Sequence, residues 1–353
     1  MKALILAGGK GTRLRPITYS MAKQLVPVAN KPVLFYGLEA VAQAGIREVG
    51  MIVGETAAEI QAAVGDGSRW GLQVTYIPQP EPLGLAHAVL VAEPFLGETP
   101  FLMYLGDNII KSSITPLVRE FERDRPNALI LLAEVPNPQE FGVAVVRGRR
   151  VVKLIEKPKE PPSPFALVGV YLFDHHIFEA ARAIKPSWRN ELEITDAIQY
   201  LIDHRYTVRW HTITGWWKDT GSLDALLEAN RLVLEDLESC IEGEVVECQL
   251  HGRVAIGKGS RLTRCTIRGP AIIGQNCTLK ECYIGPFTSI GDGVQLHACE
   301  VEYSIVLDGS RIEGIEPRIE HSLLGKNVLV SGKARRPRAL RLMLGDSSSV
   351  ELP

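Results

Sequence analysis

Three glycines and an arginine, placed directly after an apolar run, are the residues here best suited to handle phosphate. Residues 2–16 read K-A-L-I-L-A-G-G-K-G-T-R-L-R-P. That order predicts a buried strand from Lys2 to Leu6, then a loop carrying Gly8, Gly9, Gly11 and Thr12. Glycine lacks a Cβ, so successive N–H groups of such a loop can converge on one anion. Arg13 adds a fixed positive fork on the same turn. Neither G-x-G-x-x-G nor G-x-x-x-x-G-K-S/T is present, so the two commonest phosphate loops are excluded. Lys23 follows in T-Y-S-M-A-K-Q-L-V-P-V, residues 18–28. It is either a solvated lysine or a mobile point charge that reaches the same phosphates.

Further polar groups recur where apolar strands end. In Q-P-E-P-L-G-L-A, residues 79–86, Gln79 offers one donor and one acceptor, matching the N3–H and O4 edge of uracil or thymine. Gly84 marks the start of the helix that follows. Asp107, in L-G-D-N, either caps the next turn or holds a metal. Glu156 and Lys157 stand at the start of the Pro-rich loop 157–164, placed to meet sugar hydroxyls and a phosphate, or simply to be solvated. Thr195, in E-L-E-I-T-D, is a candidate helix cap. Asp219, in W-K-D-T-G, fits a tight turn as an Asx residue. His87 and the other histidines show no metal spacing and no partner nucleophile, and G-x-S-x-G is absent.

The elements that must position these groups alternate. Strands are predicted at 2–6, 48–53, 73–77, 101–105 and 128–134, and helices at 32–43, 57–64, 84–92 and 114–123. That alternation argues for a mainly parallel, Rossmann-like α/β sheet covered on both faces. Open sheets of this kind bind ligands at the carboxyl ends of their strands, where these motifs fall. Short strands near 142–146, 151–156 and 165–173 follow. A helix at 192–204, a strand at 207–213 and a helix at 223–236 complete the region.

Beyond about residue 236 the pattern changes. Cys248, Cys265, Cys282 and Cys299 are 17 residues apart, and so are Ile256, Ile273, Ile290, Leu307 and Leu324. Leu250, Ile267, Ile284 and Val301 form another such series, and Leu262, Leu279 and Leu296 a third. Glycines follow the isoleucine series, with Asp308 the one exception. Three short strands per turn, stacked turn on turn, build a triangular prism. A parallel β-helix over 237–330 is therefore predicted, with the cysteine ladder packed inward as free thiols. The domains expected are 1–236, 237–330 and a basic and apolar tail, 331–353. That tail, with K-A-R-R-P-R-A-L-R at 333–341 and L-R-L-M-L at 340–344, is expected to fold back onto protein.

Composition narrows the function classes. The chain has 353 residues, 46% hydrophobic and 23% charged, with a net charge of −2. This balance gives no support for nucleic-acid binding. No apolar run reaches the ~18 residues that span a bilayer. No membrane partner is expected, no C-x-x-C suggests zinc, and the cytoplasm is the expected compartment.

Taken in order, L-A-G-G-K-G-T-R-L-R-P, K-Q-L-V-P-V, Q-P-E-P-L-G-L-A, L-G-D-N, E-K-P, E-L-E-I-T-D and W-K-D-T-G resemble the sugar-1-phosphate nucleotidylyltransferase family. The resemblance covers nearly the whole chain, in the long form that ends in a left-handed β-helix. It implies a thymidylyl or uridylyl transfer from dTTP or UTP to glucose 1-phosphate, with Mg²⁺ and release of pyrophosphate. Leu6, Gly8, Gly9, Gly11, Thr12 and Arg13 would cradle the nucleotide, and Gln79 and Gly84 would read its base. Lys23 would help neutralise the phosphates, and Asp107 and Asp219 would hold the metal. Gly142, Glu156, Leu167 and Tyr171 would line the sugar pocket, while Lys157 and Arg189 would meet the sugar phosphate. Asn190 departs from the family's glycine, a position asparagine tolerates well. A homo-oligomer is expected. The alternatives are an acyltransferase activity in the β-helix, with His251, His297 and His321 available, and a non-catalytic sugar-nucleotide sensor.

Overall fold

The apolar runs form strands at Lys2–Leu6, Glu48–Val53, Gln73–Pro78 and Phe101–Leu105, all parallel, with Lys2–Leu6 central. A computed structural model of the chain describes residues 1–148 and 150–332. Contacts divide it into two units, Met1–Asp236 and a second beginning at Leu237. The tail expectation at 333–353 falls outside the described residues.

In the first unit the sheet has nine strands and is mixed. Phe165–Phe173 pairs antiparallel with Phe101–Leu105 and with Ala128–Glu134, and Val208–Thr212 lies parallel to the latter. The hairpin Gly142–Arg147 and Arg150–Glu156 closes the other edge. Alternation along each strand splits the core into two layers. Ala3 and Ile5 face one layer with Leu34, Val41, Ile60, Val118 and Phe121. Leu4 and Leu6 face the other with Val89, Ile177, Ile194 and Ile198. Each such fully buried Leu, Ile or Phe contributes roughly 1.5–3 kcal/mol. The helices fall close to their predicted bounds, at Val33–Gln43, Ala57–Val64, Leu85–Val91, Thr115–Asp124, Ile194–Asp203 and Leu223–Leu234. Helix His176–Ala183 was not predicted. Nor was a two-stranded ribbon, Asn108–Ile110 against Trp217–Asp219.

The second unit is the left-handed parallel β-helix. Its strands stack into three parallel sheets of six, six and five. Leu262, Leu279, Leu296, Ile312 and Val330 form one ladder, and Leu250, Ile267, Ile284, Val301 and Ile319 another. The third corrects the reading of the sequence. Ile290 pairs with Val306 and Val306 with Leu324, so Leu307 is not a rung. One turn is a residue short, between Val301 and Ile305, and the next is a residue long, through the loop at Gly314–Arg318. Leu307 then takes the place of the repeat's glycine, which explains why Asp308 looked exceptional. All six cysteines are free. Cys265, Cys282 and Cys299 are buried, Cys248 half-buried, and Cys282 and Cys299 sit Sγ to Sγ at 3.9 Å.

Candidate functional site

The ribbon brings the two acids together. Asn108 pairs with Asp219, so Asp107 and Asp219 become neighbours although 112 residues separate them in the chain. The Thr220 N–H and hydroxyl both donate to the Asp107 carbonyl, at 3.0 and 2.8 Å. Asp219 Oδ1 accepts the Gly221 N–H at 2.9 Å, the Asx turn its sequence suggested. Trp217 Nε1 donates to Asn108 Oδ1, and Asn108 Nδ2 donates to Asp107 Oδ1 at 3.0 Å. These bonds fix both carboxyl groups at the floor of a cavity of about 660 Å³.

Two cations lie on the acids. Lys23 makes an ion pair with Asp107, the two side chains 18% and 14% exposed. Burial opposes the lysine's charge, but the Asp107 carboxylate outweighs it and holds the ammonium above its ordinary pKa. Burial likewise works against the Asp107 charge, and Lys23 overcomes it, so that carboxyl titrates below its ordinary range. Asp219 behaves oppositely. Burial, then the like charge of Asp107, pushes it from 3.8 to about 6. Arg13 stands beside it: a Cβ on Gly221 would come within 2.6 Å of Arg13 Nη2 and 2.9 Å of Asp219 Oδ1. The glycine loop packs on the lysine, since a Cβ on Gly9 would meet Lys23 Cε at 2.9 Å.

This pair fits a hard divalent cation. Oxygen donors at a buried like-charge pair, one of them forced toward protonation, form a set that a cation between them would relieve. Carboxylates also outnumber ammonium and guanidinium groups around the cavity, so a polyphosphate needs added positive charge there.

The other end of the cavity holds the second constellation. Glu156 Oε2 accepts the Thr195 hydroxyl at 3.2 Å, and its Oε1 lies 3.4 Å from Arg189. Burial and the nearby Glu193 raise the Glu156 carboxyl above its ordinary pKa. Arg189 also pairs with Glu191 and Glu193, at 3.0 and 3.5 Å. Gly142 is needed for close approach: its Cβ would stand 2.5 Å from Thr195 Cγ2. Thr195 itself corrects the sequence reading. It lies inside the helix, whose N-cap is Glu193, and serves Glu156 instead. Lys157, with a left-handed backbone (φ 41°), Leu167 and Tyr171 line the same cavity. Asn190 also adopts φ 61°.

Leu6, Gly8, Gly9, Gly11, Thr12, Gln79 and Gly84 do not line that cavity; they form its flank. Gln79 Oε1 lies over Gly8, and Gln79 Nε2 donates to the Gly84 carbonyl at 3.3 Å. Gly84 opens the Leu85–Val91 helix at φ 106°, with the Leu192 backbone against it. The Gly84 turn and the Glu191–Glu193 segment are therefore in direct contact.

One residue escaped the sequence reading. Gln24 is 1% exposed, yet its Oε1 has no hydrogen-bond partner. Its side chain lies beside Gly9 and Gly106, where an added Cβ would stand 3.8 Å from Gln24 Nε2 and 3.5 Å from its Cγ. Its place next to Lys23, at the foot of the glycine loop, was the available signal. The histidines also need a correction. Asp174, His175 and His176 bring ligand atoms within 4.8 Å of one another. Asp174 spends its oxygens on the His176 N–H and on Asn127, which closes the start of a helix away from the cavity.

The nucleotidyl transferase family profile matches residues 2–236. A glucose-1-phosphate thymidylyltransferase of Streptomyces antibioticus is 57% identical over 356 residues, covering 100% of this chain and 99% of that protein. A protein of the same name from Streptomyces griseus is 54% identical, covering 100% and 99%. Among solved structures, one described as a glucose-1-phosphate thymidylyltransferase from Bacillus anthracis, in complex with a sucrose, superposes with a TM-score of 0.64 at 36% identity. It covers 68% of this chain and 97% of that one.

Proposed function

Because the chain belongs to the nucleotidyl transferase family, we propose that its first unit transfers the thymidylyl group of dTTP to glucose 1-phosphate, giving dTDP-glucose and pyrophosphate. The observation that carries this reading is one cavity with paired acids and two cations at one end and Glu156, Lys157 and Arg189 at the other. A triphosphate and a sugar phosphate meet between those ends.

The nucleophile is an oxygen of the sugar phosphate. A phosphate monoester has a second pKa of ~6 and is largely dianionic at neutral pH. No general base is needed. What the reaction needs is alignment at the α-phosphorus and neutralised charge. Arg13 and the glycine loop hold the triphosphate. Lys23 leaves Asp107 for the phosphates as they bind. Lys157 and Arg189 orient the incoming phosphate, while Glu156, set by Thr195, accepts sugar hydroxyls. Gln79 takes the pyrimidine edge. Mg²⁺, held by Asp107 and Asp219, supplies positive charge to the phosphate oxygens when bound. The enzyme acts in the cytoplasm as a homo-oligomer in this reading. No helix among the described residues is long and apolar enough to cross a membrane.

Pyrophosphate release, measured across four nucleotides and several sugar 1-phosphates, tests the assignment. dTTP is expected first, UTP measurable, and ATP and GTP poor. The 5-methyl group separates dTTP from UTP by only ~10–200-fold. If kcat/KM for UTP equals or exceeds that for dTTP, the transfer is uridylyl.

A further inference from the structure

Gln79 reads the base in the function proposed above, and its amide has a donating and an accepting end. Which end meets the ligand decides what the site can recognise. We propose that His87 fixes that choice and is a specificity-determining positioning residue, making the site read thymine or uracil and refuse cytosine.

Gln79 Nε2 lies 3.3 Å from the Gly84 carbonyl and 2.9 Å from His87 Nδ1. A carbonyl oxygen has no proton to give, so the amide's NH₂ end must face this pair. It follows that His87 Nδ1 accepts. Both N–H groups of the amide are then spent, one on a backbone carbonyl and one on the imidazole. Oε1 is turned the opposite way, over Gly8, where an added Cβ would stand 3.7 Å from it. No hydrogen bond reaches Oε1 among the described residues, so it stands ready as an acceptor only.

An acceptor selects a donor. The N3 position of thymine and uracil carries a hydrogen and can donate to Oε1. The N3 position of cytosine carries a lone pair and would face Oε1 with like polarity, a buried mismatch of the kind that polar sites reject strongly. The Gly84 bond alone is long and holds the amide weakly. Without His87 the amide can turn over and present NH₂ to the ligand. His87 sits two residues inside the Leu85–Val91 helix, which sets its distance to Gln79. Among the described residues it is not one of those lining the cavity that holds the acids and the sugar end.

This role rests on the proposed reaction, so the test separates the two. kcat/KM is measured for dTTP and dCTP with the full-length wild type, His87→Leu and His87→Gln. His87→Ala replaces the leucine variant if that protein does not fold. The dTTP to dCTP ratio should fall at least ~10-fold in His87→Leu, expressed in nucleotide KM, while the KM for glucose 1-phosphate stays within about twofold. His87→Gln, whose side-chain oxygen can still accept, should recover most of the ratio. A folded His87→Leu that keeps the wild-type ratio overturns the role of His87 alone. A wild type that does not use dTTP overturns this role together with the function beneath it.

Discussion

Replacing Asp219 by asparagine should make the ligand-free protein more stable while disabling it. The Asp219 carboxyl is pushed from 3.8 to about 6 by burial and by Asp107. A group with a raised folded pKa is at ease when protonated, below pH ~4. Its contribution to stability is lost as pH climbs through about 6. At 1.36 kcal/mol per unit, the charged carboxylate costs the fold on the order of 3 kcal/mol at pH 7.5. Asparagine keeps the acceptor for the Gly221 N–H, which lies 2.9 Å away, and removes the charge. In EDTA at pH 7.5, Asp219→Asn should gain up to about 3 kcal/mol, or ~6–12 °C in Tm for a domain of this size. The gain should vanish at pH 4. All five tryptophans lie within residues 1–236, so their fluorescence in urea or on heating follows this unit alone. Mg²⁺ should stabilise the wild type and not the variant. The electrostatic reasoning fails if the variant is no more stable than wild type in EDTA, or if a gain persists unchanged at pH 4.

Asp107→Asn should do the reverse, because it removes the carboxylate paired with the largely buried Lys23 and leaves only Asp219 to offset that charge. A loss of ~3–5 kcal/mol by urea titration is expected, and equal stability would contradict the ion pair's role. Both variants should lose at least ~10²-fold in turnover, measured as pyrophosphate release with Mg²⁺ limiting. Gly142→Ala drives a methyl to within 2.5 Å of Thr195 Cγ2 and should raise the glucose 1-phosphate KM several-fold with the dTTP KM unchanged; matched changes in both would place the damage elsewhere. Leu279→Ala, at a fully buried position between Leu262 and Leu296, should cost ~2–5 kcal/mol in the β-helix and leave transfer activity intact. A fall in kcat would show that transfer depends on the integrity of the second unit.

Much of this was legible because the physics is periodic. Apolar runs such as Ala128–Glu134 and the 17-residue ladders declare themselves through burial alone. What escaped has specific causes. Asn108–Ile110 and Trp217–Asp219 are three-residue strands, too short to carry alternation, so Asp107 and Asp219 looked like two unrelated turn residues. Leu307 kept a strict count of 17 while the backbone dropped and then regained one residue at corners, and a count cannot see corners. Thr195 had the composition of a cap, but tertiary demand from Glu156 placed it inside the helix. Gln24 stood inside K-Q-L-V-P-V beside Lys23, but a motif gives no burial, and only its buried, partnerless oxygen sets it apart. The orientation of the Gln79 amide depends on His87, whose relevance is a matter of distance rather than spacing.

The short ribbon between Asn108–Ile110 and Trp217–Asp219 has a consequence for a chain still being made. A ribosome finishes the parallel strands through Leu105, and the whole glycine loop, more than a hundred residues before Asp219 emerges. Since domains tend to organise from the N-terminus during synthesis, a nascent chain can hold a well-packed sheet with Asp107 and Lys23 already paired and still lack its second acid. Such a chain has a resident cation and little reason to capture another. Divalent-ion affinity would then appear late and abruptly, when the last antiparallel pair zips shut. Ribosome-bound chains halted before and after Trp217–Asp219 differ in length by only a few residues, yet by this reasoning they are an inert sheet and a competent one.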